Sequence, residues 1–283
     1  MRLANRVVFI SGASRGIGRA CALACAREGA DVVVAAKTEV SDNPRLPGTI
    51  HDVAAEIEAL GRRALPLKLD VRDADGCEAA VAATVQRFGR VDALLNNAGA
   101  LWWADVAETP VKKYDLIMGI NVRASFVLSR AVLPHMLKQR WGHIVMMSPP
   151  VDLAAVAHHG AYAVSKFGMT LLAQAIAEET RASNVTAHAL WPATAIESYA
   201  TINFGMGGPE VWRRAEIVAD AAVALLSREP SARMGRAWID EDLLRLEGVS
   251  DFSRYQCVPG AEPPRFPFSA LLGTGEAPEI NKR

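Results

Sequence analysis

Short uninterrupted runs of apolar, often β-branched residues recur along the chain at residues 6–11, 31–36, 64–69, 91–95, 142–147, 185–190 and 237–239. Runs of that length without polar alternation predict strands buried on both faces, as in a parallel sheet. Between them lie longer stretches with the helical period, at 19–29, 51–60, 74–88, 111–138, 161–182 and 209–226, and Gly29 and Gly89 stop two of them as helix ends require. Strand and helix pairs of about 25 to 30 residues predict an α/β fold, a doubly wound parallel sheet flanked by helices on both faces. Residues 1–250 read as a single domain. Residues 251–283, rich in proline and glycine with little periodicity, read as an extension that packs on the domain or on a neighbour.

Composition excludes more than it identifies. The 283 residues are 51% hydrophobic, enough for a substantial core, and 31 basic residues balance 31 acidic ones. A net charge of zero gives no general attraction to nucleic acid or to an anionic membrane. Residues 1–6 are too short and polar for a signal peptide, and no apolar run reads as long enough for membrane insertion. Cys21, Cys25, Cys77 and Cys257 are scattered without a CxxC or a Cys/His cluster, so neither a metal site nor a disulfide framework is expected. Free thiols in a cytoplasmic, reducing setting are the expectation.

Candidate chemistry begins where the first run ends. The turn Gly12-Ala13-Ser14-Arg15-Gly16-Ile17-Gly18 joins that strand to the first helix, the setting of a phosphate cradle in a Rossmann-type fold. Gly12 permits a tight turn, Gly16 lets a pyrophosphate approach the backbone, and Gly18 lets helix and strand pack closely. Ser14, Arg15 and Ile17 line the same turn. At the end of the second strand a dinucleotide site using NAD(H) places an acid for the adenosine ribose, whereas a basic residue there suits a 2′-phosphate. Ala36 occupies that place, Lys37 follows it, and Arg15 supplies a second cation, so NADP(H) is preferred over NAD(H); the alternative is that both are solvated charges. The polar loop at 39–49, with Pro44, Pro47 and Gly48, is expected to lie over the adenosine end.

Asp70 and Val71 close the third strand and offer an edge and a face to an adenine, although Asp70 also suits a turn cap. After the fourth strand, Asn96-Asn97-Ala98-Gly99 sets amides beside a glycine, a composition for bonding across strand ends. Tyr162 and Lys166 are four residues apart in a helical stretch, which puts phenol and ammonium on one face. A neighbouring cation favours the phenolate and would pull the phenol's pKa toward neutrality, making Tyr162 a candidate acid/base group. Ser148, before Pro149 and Pro150, ends the fifth strand and is a candidate donor to a substrate carbonyl oxygen. His158 and His159 are alternatives for that part or for binding substrate. Trp102 and Trp103 either line an apolar pocket or cover the core.

The glycine turn, Asp70, Asn96-Asn97-Ala98-Gly99 and the Tyr162/Lys166 pair together resemble the short-chain dehydrogenase/reductase superfamily over about residues 3–240. Ala35-Ala36-Lys37-Thr38, Ser148-Pro149-Pro150 and Trp238-Ile239-Asp240-Glu241 resemble, more narrowly, the hydroxysteroid dehydrogenase-like protein 2 group, without that group's C-terminal sterol-carrier domain. The resemblance implies an enzyme transferring hydride between NADP(H) and a carbonyl or secondary alcohol of an apolar small molecule. Its catalytic residues would be Tyr162, Lys166 and Ser148, with Asn121 supporting a proton relay, and its cofactor-binding set would include Asn97, Ala98, Gly99, Tyr162, Lys166, Pro192 and Thr194. It also implies a homodimer or homotetramer. Ser148 stands fourteen residues before Tyr162, where family members commonly have thirteen. That departure keeps open a cofactor-binding regulatory or scaffolding protein with little turnover.

Overall fold

A computed structural model describes residues 1–41, 46–150, 156–232 and 235–266. Pro44 of the polar loop and positions 267–283 of the C-terminal extension lie outside the described residues. Seven parallel strands form one sheet in the order β3-β2-β1-β4-β5-β6-β9: β1 Val7–Ser11, β2 Asp31–Ala36, β3 Ala64–Lys68, β4 Ala93–Asn96, β5 Gly142–Met147, β6 Val185–Trp191 and β9 Ala237–Ile239. The order reverses between β1 and β4, and in such sheets ligands bind beyond the carboxyl ends of the strands at the reversal.

Strand alternation divides the core. Val8, Ile10, Val32 and Val34 face α1 (Gly16–Arg27), α2 (Ile50–Ala59), α8 (Glu216–Leu226) and α9 (Asp240–Leu246). Val7, Phe9, Val33 and Ala35 point the other way, toward α3 (Ala74–Phe88), α5 (Ala124–Gln139) and α6 (Gly160–Glu179). Helices on both faces leave no polar side for these strands, which is why they read as continuous apolar runs. At the amino-terminal edge, buried Asp31 is held by Arg62 and Arg63, and buried Asp92 by Arg6 and Arg90.

Two expectations are corrected. Residues 209–226 are not one helix: a 3₁₀ turn at Pro209–Val211 leads into β8 (Trp212–Arg213), which pairs with β7 (Ala195–Ile196), and only Glu216–Leu226 is α-helical. The pairing wins because it buries Trp212 and Arg213 and brings Arg213 to Glu241 at 2.7 Å. Secondly, the segment Val111–Gln139 is long and apolar enough by composition to cross a membrane. It is a single helix built from α4 (Val111–Ile117), a π-helical stretch Met118–Arg123 and α5. Its apolar face, including Ala124, Leu128, Val132 and Met136, is spent in the core between α3 and the sheet, as expected of a core helix in a layered α/β domain.

Candidate active site

A cleft of about 690 Å³ opens at the carboxyl ends of the central strands. It gathers Gly12, Ser14, Arg15, Gly16, Ile17, Gly18, Lys37, Asp70, Val71, Asn97, Ala98, Gly99, Ser148, Tyr162, Lys166 and Pro192 into one wall, so residues separated by up to 180 positions in sequence converge on one space. Thr194 lies in an adjoining apolar cavity of about 430 Å³, which shares Ile17, Tyr162, Lys166 and Pro192 with the cleft.

Local chemistry explains the glycine end. Gly12 and Gly16 have positive φ, +68 and +54, values an L side chain adopts only with strain. A Cβ on Gly18 would stand 2.3 Å from the Gly12 carbonyl oxygen, and one on Gly12 would stand 2.8 Å from Ala98 Cα. Around a Cβ placed on Gly16 there is open space. The Asn97 side chain locks this packing by donating to the carbonyls of Ser11 (3.1 Å) and Gly12 (3.0 Å). α1 starts with no side-chain cap and no acid in its first turn, so its free N–H groups and partial positive charge face the cleft. The cradle has the shape and donor set for a dinucleotide pyrophosphate.

The β2 end of the cleft carries cations. Arg15 reaches across to the β2 end, donating to Thr38 Oγ1 (2.8 Å) and to the Gly48 carbonyl (3.2 Å). Gly48, with φ +100, lies against the turn so closely that a Cβ would sit 2.6 Å from the Ser14 oxygen. Lys37 is exposed at the same edge. Asp70 is pinned by the guanidinium and backbone N–H of Arg72, which with Lys37 holds its carboxyl down at about 2, so it is an ionised acceptor at any working pH.

The catalytic candidates meet less simply. Lys166 is buried, donates to the Met147 carbonyl at 2.8 Å and stands 5.7 Å from the Tyr162 ring centre. Burial drives its pKa down to about 8 and drives that of Tyr162 upward. The direction for Tyr162 is opposite to the one expected from spacing: the helix brings the groups onto one face, but desolvation of the phenolate outweighs an ammonium at this separation. Ser148 lines the cleft with its hydroxyl already engaged: it is buried, shares a 3.0 Å hydrogen bond with Thr170 Oγ1 and accepts one from Trp191 Nε1 at 3.2 Å. Asn121 sits in the π-helical stretch, fully buried, with Oδ1 accepting from Ala100 N (2.8 Å) and Nδ2 donating to the Ala100 carbonyl and Ser165 Oγ (2.9 Å each). Both amide hydrogens are committed to the protein, so the side chain clamps the segment after Gly99.

One element of the site had no signal as chemistry in the sequence. Asp240, at the start of α9, accepts from Ala193 N (2.8 Å) and Glu241 N (2.7 Å), while Phe266 N donates to the Ala193 carbonyl (2.8 Å). Both polar groups of Ala193 are thereby held, fixing the segment between Pro192 and Thr194. Burial pushes the Asp240 carboxyl up to about 7, with Glu241 adding to the rise and Arg213 opposing it. A raised folded pKa means that its stabilising contribution is full below the ordinary carboxylate value near 4 and is lost as pH rises through about 7. Thermal melts from pH 4 to 8 should therefore show Asp240→Asn gaining on the wild type by a few kcal/mol as pH rises; a constant difference would refute the linkage.

Comparison with known proteins decides the family. Residues 6–200 match the short chain dehydrogenase family model. The chain belongs to the short-chain dehydrogenase family. Within it, the chain is similar to the hydroxysteroid dehydrogenase-like protein 2 group: it is 46% identical to the Danio rerio protein of that name over 92% of its own length. The match covers 62% of that relative, so the chain spans about three fifths of the length of such relatives. A Xanthomonas campestris crystal structure superposes with a TM-score of 0.90 at 42% identity, covering 95% of this chain and 99% of that one. A metagenomic short-chain oxidoreductase in complex with NADP gives 0.71 at 29% identity over 84% and 97% of the two chains. Carveol dehydrogenase from Mycobacterium avium, in complex with NAD, gives 0.75 at 26% over 83% and 96%.

Proposed function

We propose that this short-chain dehydrogenase is an NADP(H)-dependent oxidoreductase acting on a carbonyl or secondary alcohol of an apolar small molecule. The observation that carries the reading is the single cleft in which the glycine turn, Lys37, Asp70, the 97–99 segment, Tyr162 and Lys166 converge. A nicotinamide dinucleotide, when bound, supplies or accepts the hydride. The glycine turn and the α1 amino terminus hold its pyrophosphate, Asp70 and Val71 meet its adenine, and Lys166 together with the 192–194 segment faces its nicotinamide end. Tyr162 gives a proton to the carbonyl oxygen as hydride reaches the carbon, and takes it back in the reverse direction. A phenol whose pKa burial raises stays protonated at neutral pH, which favours the reductive direction.

Cofactor choice is read from the β2 end, where Ala36 stands at the place of the ribose-binding acid and two cations, Lys37 and Arg15, can meet a 2′-phosphate. Lys37→Ala should weaken NADPH about tenfold while leaving NADH almost unchanged, as one charged contact to phosphate is worth. Fluorescence titration of both cofactors reads this directly, and an unaltered ratio of affinities would overturn the assignment. Exposed Tyr114, Phe126, Val164 and Leu171 on α4, α5 and α6 supply apolar surface for a homo-oligomer.

The buried hydroxyl of Ser148 favours a second reading, a cofactor-binding regulator with little turnover. NADPH oxidation against a panel of ketones separates the two. Turnover abolished in Tyr162→Phe supports the enzyme, and tight NADPH binding without turnover on any ketone supports the regulator.

A further inference from the structure

The Ser148 hydroxyl is engaged by Thr170 and Trp191, which leaves room for another donor to meet the substrate oxygen. The cavity adjoining the cleft is walled by Leu101, Trp103, Pro149, Pro150, Ile196 and Met206, among other residues. Most of its polar side chains are occupied: Ser198 and Thr201 cap one another, Thr194 bonds the Ala195 carbonyl, and Lys166 bonds Met147. His159 and Trp103 are different: His159 Nδ1 and Trp103 Nε1 are both buried without a hydrogen-bond partner among the described residues. His159 lines the cavity beside Tyr162. The ring stands edge-on to Trp103, with centroids 4.9 Å apart and planes at 87°.

The local backbone is arranged around this ring. His159 is the N-cap of α6 yet makes no side-chain cap hydrogen bond, at a position where Ser, Thr, Asp or Asn would stabilise the helix. His158 before it has φ +62 and its Nδ1 shares a hydrogen bond with Asp105 Oδ1. A costly backbone conformation and a forgone cap next to a cavity mark a site kept for function. The three-residue step from His159 to Tyr162 puts both on one side of the first helical turn. With the ring proton on Nε2, the buried Nδ1 is left as an acceptor.

We infer that His159 Nε2–H donates a hydrogen bond to the carbonyl oxygen of an apolar ketone, in the part the sequence assigns to Ser148. The inference rests on the oxidoreductase reading of the same site. Hydride adds to the carbonyl carbon, the C=O π pair moves to oxygen, and that oxygen takes the phenolic proton of Tyr162. His159 keeps its own proton and holds the oxygen throughout.

The test compares His159→Phe, which keeps the ring against Trp103 but removes the donor, with His159→Gln and Ser148→Ala, using 2-decalone and NADPH. His159→Phe should lower kcat/KM about 10²-fold, His159→Gln should recover part of that loss, and Ser148→Ala should stay within about threefold of wild type, with NADPH affinity unchanged in all three. A His159→Phe enzyme within about threefold of wild type, or a Ser148→Ala loss as large as that of His159→Phe, would overturn the inference. Binding provides a readout independent of turnover: tryptophan fluorescence should report 2-decalone affinity about tenfold weaker in His159→Phe. If the wild type reduces no ketone yet shows that difference, the oxidoreductase reading fails and the role of His159 stands. Equal affinities, or no 2-decalone binding by the wild type, would sink it.

Discussion

Tyr162→Phe is expected to lower ketone reduction by about 10³-fold or more, because it removes the one phenol lining both the cleft and the adjoining cavity. The change deletes a single oxygen and leaves the ring's packing in place, so the fold and NADPH affinity should persist. The pH profile adds a second reading. Because burial raises the phenol's pKa in the cofactor-free protein, reduction should hold across neutral pH without an alkaline optimum. Lys166, drawn down to about 8, should contribute a decline as it loses its charge above that value. Steady-state kinetics from pH 6 to 10 on wild type and variant check both statements; a Tyr162→Phe enzyme retaining a tenth of wild-type activity would remove the phenol from the mechanism.

The largest effect on stability is expected at Arg213→Ala. Arg213 and Glu241 are 4% and 2% exposed, and the Nε–Oε1 contact is 2.7 Å. Truncation leaves Glu241 in the interior with Arg265, at 3.7 Å, as its remaining cationic neighbour among the described residues. Breaking one side of a buried pair costs about 3–5 kcal/mol, whereas replacing both sides by apolar residues costs far less. Chemical denaturation should therefore rank Arg213→Ala well below the Arg213→Met/Glu241→Leu double variant. A single-variant loss under about 1 kcal/mol would mean that the pair is solvated. Because Glu241 follows Asp240, the same variant should also loosen the Ala193 segment and weaken NADPH binding.

The contrast between these two sites explains what the sequence could convey. The buried parallel strands were legible because each is a short, nearly continuous apolar run, and the glycine turn was legible because it follows β1 at once. Convergence of Gly12–Gly18, Asp70 and Asn97 in one cleft then follows from strand order. Local spacing failed where distant partners decide. The orientation of Ser148 depends on Thr170 and Trp191, which lie 22 and 43 residues away in the chain. The Tyr162–Lys166 spacing established a shared face but carried no measure of desolvation, and desolvation sets the direction of both pKa shifts. Trp212 and Arg213 fall inside a helical period, yet their pairing with Ala195 and Ile196 is a tertiary preference invisible in a local window. The clamp of Asp240 on Ala193 joins residues 47 apart and was hidden for the same reason.

Hydride transfer itself is the central claim, and isotope transfer tests it directly. The protein is incubated with 2-decalone and NADPH carrying deuterium at both C4 positions of the nicotinamide, and the product is analysed by mass spectrometry. Decalol carrying deuterium at its carbinol carbon, absent when Tyr162→Phe replaces the wild type, is the expected result. NADPH bound tightly with no deuterated alcohol formed from 2-decalone or any other ketone in the panel would contradict it.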